Sequence, residues 1–292
     1  MRNFIIALLT VFCLSSGVSA DDFVLGLIPE MNVFKQTERH RPLAEYLSKK
    51  LNINVELKIL PRYGNILDSF KASKMDAAFW GSFTGALAIK KLGVKPLARP
   101  LQLDQTSTYK GYLFTRKDSG IDSTAKLKGK SFAFVDRATT AGFLFPISIL
   151  KKQGTRLADL DKYFSSYFFT GSHDAAIMAV LNGEADAGAA KNTIFDMMAG
   201  KNPDIRNKIR ILAESSEVPS NTLGVRKDLD PSLTEKIKAT ILNMDKDPEG
   251  VKVLKEFGAV KFISTGPADF DPVLGMAENA GLDLSSYDYL NH

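Results

Sequence analysis

Cysteine is almost absent from this 292-residue sequence, whose one cysteine, Cys13, lies in an apolar N-terminal segment. If that segment is removed, the remaining chain has no thiol, which excludes disulfides, thiolate metal sites and a cysteine nucleophile. Histidine is also scarce, because His40, His173 and His292 lie far apart and form no group with metal-ligand spacing. We therefore expect neither a metal nor a cofactor.

Catalytic signatures are missing as well. The sequence contains no Gly-x-Ser-x-Gly elbow and no Gly-rich phosphate loop ending in Lys and Ser or Thr. Scattered Asp and Glu residues leave a general acid–base pair open, but they do not indicate one. We therefore expect a binding protein and no enzyme, with a periplasmic enzyme as a distant alternative.

The first twenty residues resemble an export signal. Arg2 precedes an apolar run at 4–14, and a small-x-small pattern ends at Ala20 before two aspartates. This pattern predicts a cleaved secretory signal peptide, residues 1–20, and a periplasmic protein. Lipid attachment at Cys13 is not expected, because the bulky Phe12 precedes it.

Charge and hydropathy limit the possible partners. Removing the signal segment with its Arg2 lowers the formal charge from +5 to +4, which is too mild and dispersed to indicate nucleic acid. No second apolar run reaches the eighteen residues that a membrane span needs, so we expect a chain that is not membrane-embedded. We also expect a monomer.

The remaining chain alternates short apolar runs with segments of helical spacing. Strands are predicted at 23–28, 55–59, 76–80 and 94–98 in a first lobe, with helices between them. The alternation resumes at 131–135 in a second lobe. Such alternation predicts an α/β fold, in which each lobe is a mostly parallel sheet with helices on both faces.

Two extended segments mark crossings between the lobes, near residues 109–116 and 214–226. They divide the chain into a discontinuous first lobe, 21–110 with 215–292, and a continuous second lobe, 111–214. Two lobes joined by two crossing strands enclose a cleft that opens and closes about a hinge.

One strand-to-helix junction organises the second lobe. The strand at 132–135 ends at Asp136, and Thr139 and Thr140 fall where the next helix begins. Backbone N–H groups at a helix start have no intrahelical partner, so an anion can be held there beside the two hydroxyls. The alternative is that either threonine serves only as an N-cap.

A second junction carries the Gly-Ser-His-Asp motif at 171–174, which places His173 at a helix start facing the same cleft. A lone histidine is often structural or solvated. Its position beside Thr139 makes it a candidate ligand donor.

Several motifs, taken in order, resemble the phosphate/phosphite/phosphonate substrate-binding family of ABC transporters, the PhnD type. The resemblance runs from about residue 25 to 271. The motifs that carry it lie at 76–81, 126–135, 136–142, 171–177 and 179–188. The resemblance implies a type II periplasmic binding protein fold and a tetrahedral oxyanion held between the lobes by hydroxyls and helix amides.

The resemblance also implies site residues, some of which depart from the family pattern. In the turn, Asp136, Thr140 and Gly142 match the family motif. Arg137 stands there in place of a family proline, and Ala141 in place of a serine. In the first lobe, Gly85 stands in place of a family tyrosine. Trp80 either fills the vacated space or packs in the core, and Arg137 either compensates in the site or is solvated. The predicted ligand-binding residues are Tyr63, Trp80, Ser82, Thr139, Thr140, Ala141, His173 and Asn192.

The loops that would pair with an ammonium group carry Asn192 with Thr193 and Ser220 with Asn221, all neutral, which favours a ligand without an ammonium. The resemblance thus predicts an exported binding protein for a phosphonate-, phosphite- or phosphate-like oxyanion, whose partners are ABC permease subunits. The alternative is a ligand sensor for a membrane histidine kinase, with a different ligand.

Overall fold

A computed structural model describes residues 22–30, 32–60 and 62–290 of the chain. The predicted signal segment 1–20 and His292 lie outside these residues. Strands and helices alternate along most of the described chain. The strands are β1 (Asp22–Leu27), β2 (Asn54–Ile59), β3 (Ala77–Trp80), β4 (Lys95–Gln102), β5 (Thr108–Tyr109), β6 (Gly111–Arg116), β7 (Ser131–Phe134), β8 (Ser166–Phe169), β9 (Ala187–Lys191), β10 (Ile209–Glu214), β11 (Val218–Pro219), β12 (Thr222–Val225) and β13 (Ala259–Ser264).

The helices lie between these strands, together with short 3-10 turns and one π-helical turn, Thr140–Leu144. None of the helices in the described ranges is long and apolar enough to cross a membrane. The helices are α1 (Val33–Leu51), α2 (Ile66–Ala72), α3 (Ser82–Leu92), α4 (Phe145–Lys152), α5 (Leu160–Tyr163), α6 (His173–Leu181), α7 (Asn192–Lys201), α8 (Asp204–Lys208), α9 (Pro231–Leu242), α10 (Pro248–Phe257) and α11 (Asp271–Asn279).

Two sheets define two lobes. The first lobe is built on a six-stranded sheet of order β13-β4-β12-β3-β1-β2, and the second on a five-stranded sheet of order β10-β6-β9-β7-β8. The predicted boundary at 110 falls between β5 and β6, and that at 215 falls directly after β10.

Each sheet is mixed, although a mostly parallel sheet was expected. The β1–β2, β1–β3, β7–β8 and β7–β9 pairs are parallel, as a strand–helix–strand crossover requires. Strands β4, β6, β10 and β12 pair antiparallel with their neighbours. They do so because the chain leaves and re-enters the lobes along them.

The two crossings form a small ribbon of their own. β5 pairs antiparallel with β11, with Tyr109 opposite Val218 and Thr108 opposite Pro219. Both crossing segments are thus hydrogen-bonded to each other where they pass between the lobes, which makes this ribbon the connection about which the lobes can rotate.

Apolar periodicity predicts a helix that starts near Glu38, with Pro42 in its first turn, but helix α1 begins at Val33. The Asn32 side chain accepts hydrogen bonds from the amides of Phe34 and Lys35, so it caps a helix start that apolar periodicity alone misses. Pro42 therefore lies inside the helix and not in its first turn. Sequence reasoning also missed β13, which adds an antiparallel edge to β4.

Candidate ligand-binding site between the lobes

The second-lobe side of the site is the turn that follows β7. Asp136 is buried there, and its Oδ1 accepts a hydrogen bond from the Ala138 amide at 2.9 Å. Its Oδ2 accepts one from the Gly64 amide of the first lobe at 3.2 Å. The Thr139 hydroxyl donates to the Asp136 carbonyl at 2.6 Å, so its hydrogen is committed to the turn.

Gly142 allows this turn to fold back onto the strand. A Cβ at Gly142 would lie 2.4 Å from the Val135 Cβ and 2.9 Å from the Thr139 Oγ1. Such distances are not tolerated, so the close approach of the helix start to Val135 requires glycine.

Thr140 connects the two lobes directly. Its hydroxyl oxygen accepts a hydrogen bond from the Phe83 amide at 2.9 Å, and Phe83 lies in the first turn of α3. Two helix starts, one from each lobe, therefore face each other. The Thr140 hydroxyl oxygen already accepts a hydrogen bond from one of the amides at the start of α3. Thr139 makes no side-chain cap bond, so the simple N-cap interpretation does not describe it.

The first-lobe side is tied to the crossing ribbon through Ser82. Ser82 Oγ lies 2.6 Å from the Pro219 carbonyl oxygen and 3.0 Å from the Tyr109 hydroxyl. Because a carbonyl can only accept, Ser82 donates its single hydrogen to Pro219, and Tyr109 donates to Ser82. The Ser82 hydroxyl therefore has no hydrogen left for a ligand, although its backbone amide faces the cleft at the start of α3.

These elements enclose a cavity of about 10 Å³, room for about one water molecule. Admission of a larger ligand requires the lobes to separate and close again. The cavity is lined by Ile28, Glu30, Tyr63, Gly81, Ser82, Phe83, Thr84, Tyr109, Ala138, Thr139, Thr140 and His173.

His173 reaches this cavity as a neutral donor. Its Nδ1 lies 3.2 Å from the Lys191 amide, and because an amide can only donate, the ring hydrogen must be on Nε2. Burial, helped by the Lys191 charge and opposed by Glu30, lowers the pKa of His173 to about 4. The imidazole therefore offers an N–H without a positive charge at neutral pH.

An ion pair crosses the cleft beside the cavity. Lys191, at the end of β9, lies 2.9 Å from Glu30 Oε1, just after β1, and both side chains are almost buried. Lys191 also donates to Asn221 Oδ1 at 3.1 Å and lies 4.4 Å from the centre of the Tyr109 ring. Burial tends to raise the pKa of Glu30, but the charge and hydrogen bond of Lys191 outweigh it and hold that pKa below the ordinary value.

Five of the eight predicted site residues line the cavity, namely Tyr63, Ser82, Thr139, Thr140 and His173. Burial, reinforced by the nearby Glu30 charge, raises the pKa of Tyr63 well above its ordinary value, so its phenol stays a neutral donor. The ligand-binding role of all five stays a prediction.

The other three predicted residues lie outside the cavity. Trp80 packs against Phe70 with ring centres 5.0 Å apart, and Ala141 is buried against Gly111. Asn192 joins the second lobe to the crossing segment, where its Oδ1 accepts from the Lys110 amide at 2.9 Å. All three thus have structural contacts here.

The space beside Gly85 is filled mainly by the Phe270 ring, while Trp80 approaches it only with its Cβ, 3.4 Å from a Cβ built at Gly85. A Cβ at Gly85 would lie 2.6 Å from Phe270 Cε1, and Phe270 is buried at the end of a C-terminal 3-10 turn. Sequence reasoning missed this contact because the two residues are far apart in the chain. Arg137 also lies outside the cavity, with its guanidinium over the rings of Phe143 and Phe169.

Sequence reasoning also missed four residues that line the cavity with polar groups, Glu30, Phe83, Thr84 and Tyr109. The position of Glu30 was a signal, because it lies three residues after the carboxyl end of β1, where ligands of open α/β sheets bind. Within the described ranges no group of three or more His, Cys, Asp or Glu residues could hold a metal ion.

Comparison with known proteins identifies the family of the chain. A family model described as "ABC transporter, phosphonate, periplasmic substrate-binding protein" matches residues 25–270. The chain belongs to this family.

Curated relatives of the chain differ in their named ligands. The "Phosphonates-binding periplasmic protein" of Escherichia coli (strain K12) is 24% identical over 81% of this chain and 70% of that relative. The "Phosphate-import protein PhnD" of Mycolicibacterium smegmatis is 26% identical over 80% of this chain and 77% of that relative.

A solved structure establishes the shared two-lobed fold. PhnD1 from Prochlorococcus marinus (MIT 9301), solved in complex with methylphosphonate, superposes with a TM-score of 0.77. It is 23% identical, and the superposition covers 89% of this chain and 98% of that chain.

Proposed function

We propose that this protein is an exported binding protein that captures a small phosphonate-, phosphite- or phosphate-like oxyanion between its lobes and delivers it to an ABC transporter. The main support is that hydrogen-bond donors from both lobes meet at one cavity, where the Phe83 amide lies 2.9 Å from the Thr140 hydroxyl oxygen. The family membership and the names of the curated relatives support the same ligand class.

The donors around the cavity can hold an anion although none of them carries a charge, because unpaired N–H groups at a helix start favour negative charge. The amides at the start of α3 and the Thr140 amide offer N–H groups without intrahelical partners, and the His173 Nε2–H and Tyr63 hydroxyl complete the ring. On binding, a ligand oxygen replaces the Thr140 hydroxyl at the Phe83 amide. The Thr140 hydroxyl is then free to donate to the ligand.

Closure would couple capture to transport. Residues 21–110 with 215–292 and residues 111–214 would move as two units about the β5–β11 ribbon, which Ser82 links to the cavity wall. A ligand held by both units stabilises the closed arrangement, because it binds that arrangement better than the open one. Permease subunits would then recognise the closed form of the exported monomer.

The test is a thermal-unfolding panel of the protein without residues 1–20, in a buffer free of phosphate. Phosphite, methylphosphonate, phosphate, 2-aminoethylphosphonate, sulfate and uncharged metabolites are added one at a time. At a hundredfold excess over the Kd a true ligand stabilises the protein by about 2.7 kcal/mol, a shift of roughly 5 °C in Tm. If no phosphorus oxyanion shifts the Tm and an uncharged metabolite does, the proposed function is wrong.

A further inference from the structure

Glu30 is the one carboxylate among the described residues that line the cavity. The helix-start amides, the Thr140 and Tyr63 hydroxyls and the His173 imidazole can donate hydrogen bonds to an oxyanion. An ionised carboxylate can only accept them. Glu30 therefore makes one wall of the cavity chemically different from the others.

The contacts of Glu30 keep it ionised and leave it able to accept. Lys191 is bonded to Oε1, and no donor to Oε2 is present in the part of the chain that the structure describes. The groups that act on Glu30 electrostatically come from three elements, and their charges hold its pKa below the ordinary value against the effect of burial. These groups are Lys191 on β9, His173 on α6 and Arg39 on α1, with the neutral His40 and Tyr63 also within range.

Lys191 is fixed by its surroundings and is not available as a mobile counter-ion for a ligand. It contacts Glu30, Asn221 and the Tyr109 ring together. The ion pair is neutral as a whole, so it does not repel an anion from the cleft. At short range, however, a ligand oxygen that faces Glu30 meets a negatively charged acceptor.

We propose that Glu30 is a specificity-determining residue, which accepts a hydrogen bond from a protonated oxygen of the ligand. The inference rests on the proposed function and narrows its ligand class to oxyanions that carry one O–H group, such as hydrogen phosphate or the monoanions of phosphite and methylphosphonate. Sulfate, which carries no proton at neutral pH, would place a bare oxygen against the carboxylate. Sites built around a hydrogen bond strongly reject analogues that cannot make it.

The test measures affinities by titration calorimetry at pH 7 for methylphosphonate, phosphite and sulfate. The wild-type protein should bind sulfate at least about 100-fold more weakly than methylphosphonate. In Glu30→Gln the side-chain amide can donate to an unprotonated sulfate oxygen, so the ratio of the affinities for methylphosphonate and sulfate should shrink to less than about tenfold. Glu38→Gln, which removes the same charge from an exposed position of α1, should keep the wild-type gap.

A pH series on the wild-type protein gives a second readout that does not depend on any variant. The shifted groups at the cavity titrate outside pH 6–9, since the pKa of Glu30 is lowered, that of His173 is about 4 and that of Tyr63 is raised. Affinity for methylphosphonate should therefore fall about tenfold per pH unit above the second ionisation of the ligand itself. If Glu30→Gln does not fold, judged by circular dichroism, this series decides.

The outcomes separate the two proposals. Wild-type affinity for sulfate within tenfold of methylphosphonate, or an affinity for methylphosphonate that holds or rises up to pH 9, overturns the role of Glu30 and leaves the proposed function standing. If the wild-type protein binds none of the oxyanions, the proposed function fails, and the role of Glu30 fails with it.

Discussion

On the first-lobe side of the cavity most of the donors are backbone amides at the start of α3, with the Tyr63 hydroxyl beside them, whereas the second-lobe side contributes two side-chain donors. Ser82 has a hydroxyl on the first-lobe side, but its hydrogen is committed to Pro219 in the crossing ribbon. On the other side the Thr140 hydroxyl and the His173 Nε2–H are free to face a ligand.

This difference has a physical consequence for specificity. Helix amides belong to the backbone and are lost only on substitution by proline, so the first lobe supplies an anion site of nearly constant geometry. Side-chain donors can be changed one at a time. We therefore expect substitutions of Thr140 or His173 on the second-lobe side to alter ligand affinity, and removal of the Ser82 hydroxyl on the first-lobe side to alter stability or the crossing ribbon.

The largest expected effect comes from the two buried neutral histidines, one in each lobe. Burial, the main cause in both, lowers the pKa of His40 and of His173 from 6.5 to about 4. A histidine that must stay neutral in the fold is protonated first in the unfolded chain, so stability is lost as the pH falls from about 6.5 towards 4. Each histidine should lower the free energy of unfolding by about 3 kcal/mol between pH 6.5 and pH 4.

Urea unfolding at pH 7.0, 5.5 and 4.5 measures this loss and compares the lobes. His40→Gln and His173→Gln should each flatten the pH dependence, but only His173→Gln should weaken oxyanion binding at pH 7. His40 lies between Phe79 and Phe257 and donates from Nδ1 to the Gln36 carbonyl, away from the cavity. An unchanged urea midpoint between pH 7.0 and 4.5 would contradict the burial of both imidazoles.

The next effect concerns the second-lobe turn. Gly142→Ala places a Cβ 2.4 Å from Val135, and the overpacking should cost about 1–3 kcal/mol in the free energy of unfolding and displace the Thr140 amide. The matched control is Gly200→Ala, because nothing lies within 4 Å of a Cβ at that helical position. Equal urea midpoints for the two variants would show that the turn is not packed against Val135.

Much of the fold follows from patterns within short segments. The apolar run before Asp136, the small residues of β9 and the helical spacing of α6 each predict their element and place His173 and Thr140 at strand-to-helix junctions. Parallel neighbours then bring those junctions to one edge of a sheet. That is why Thr139, Thr140 and His173 converge on the cavity, whereas Tyr63 and Ser82, which also line it, follow from the family resemblance.

The remaining features depend on contacts between distant parts of the chain. Glu30 and Lys191 are separated by 161 residues and neither has a local signal for the other. Phe270 fills the space beside Gly85 from the C-terminal region, so a search near Gly85 finds only Trp80. Spacing alone also does not reveal that the hydrogen of Ser82 is already used.

Thr140→Ala tests the second-lobe donors directly. Loss of the hydroxyl should weaken oxyanion binding by about 1–3 kcal/mol in calorimetry, because a hydrogen bond to a charged ligand is lost. Thr140→Ser should keep near wild-type affinity. Thr234→Ala in α9, outside the cavity lining, removes a buried hydroxyl that donates to the Asp230 carbonyl, and it should lower stability without changing affinity. Wild-type affinity in Thr140→Ala would remove Thr140 from the site.

Ser82→Ala is the counterpart on the first-lobe side and has the smallest expected effect on binding. The backbone amide of residue 82 remains, and the lost hydroxyl bonded to Pro219 and Tyr109, so affinity should change by less than about threefold. The free energy of unfolding should fall by about 1 kcal/mol, because the Tyr109 hydroxyl loses its acceptor. If Ser82→Ala instead weakens binding as much as Thr140→Ala, the hydroxyl of Ser82 must turn from Pro219 to the ligand on closure. The crossing ribbon would then be released by binding, and the contrast between the two sides of the cavity would hold only before a ligand enters.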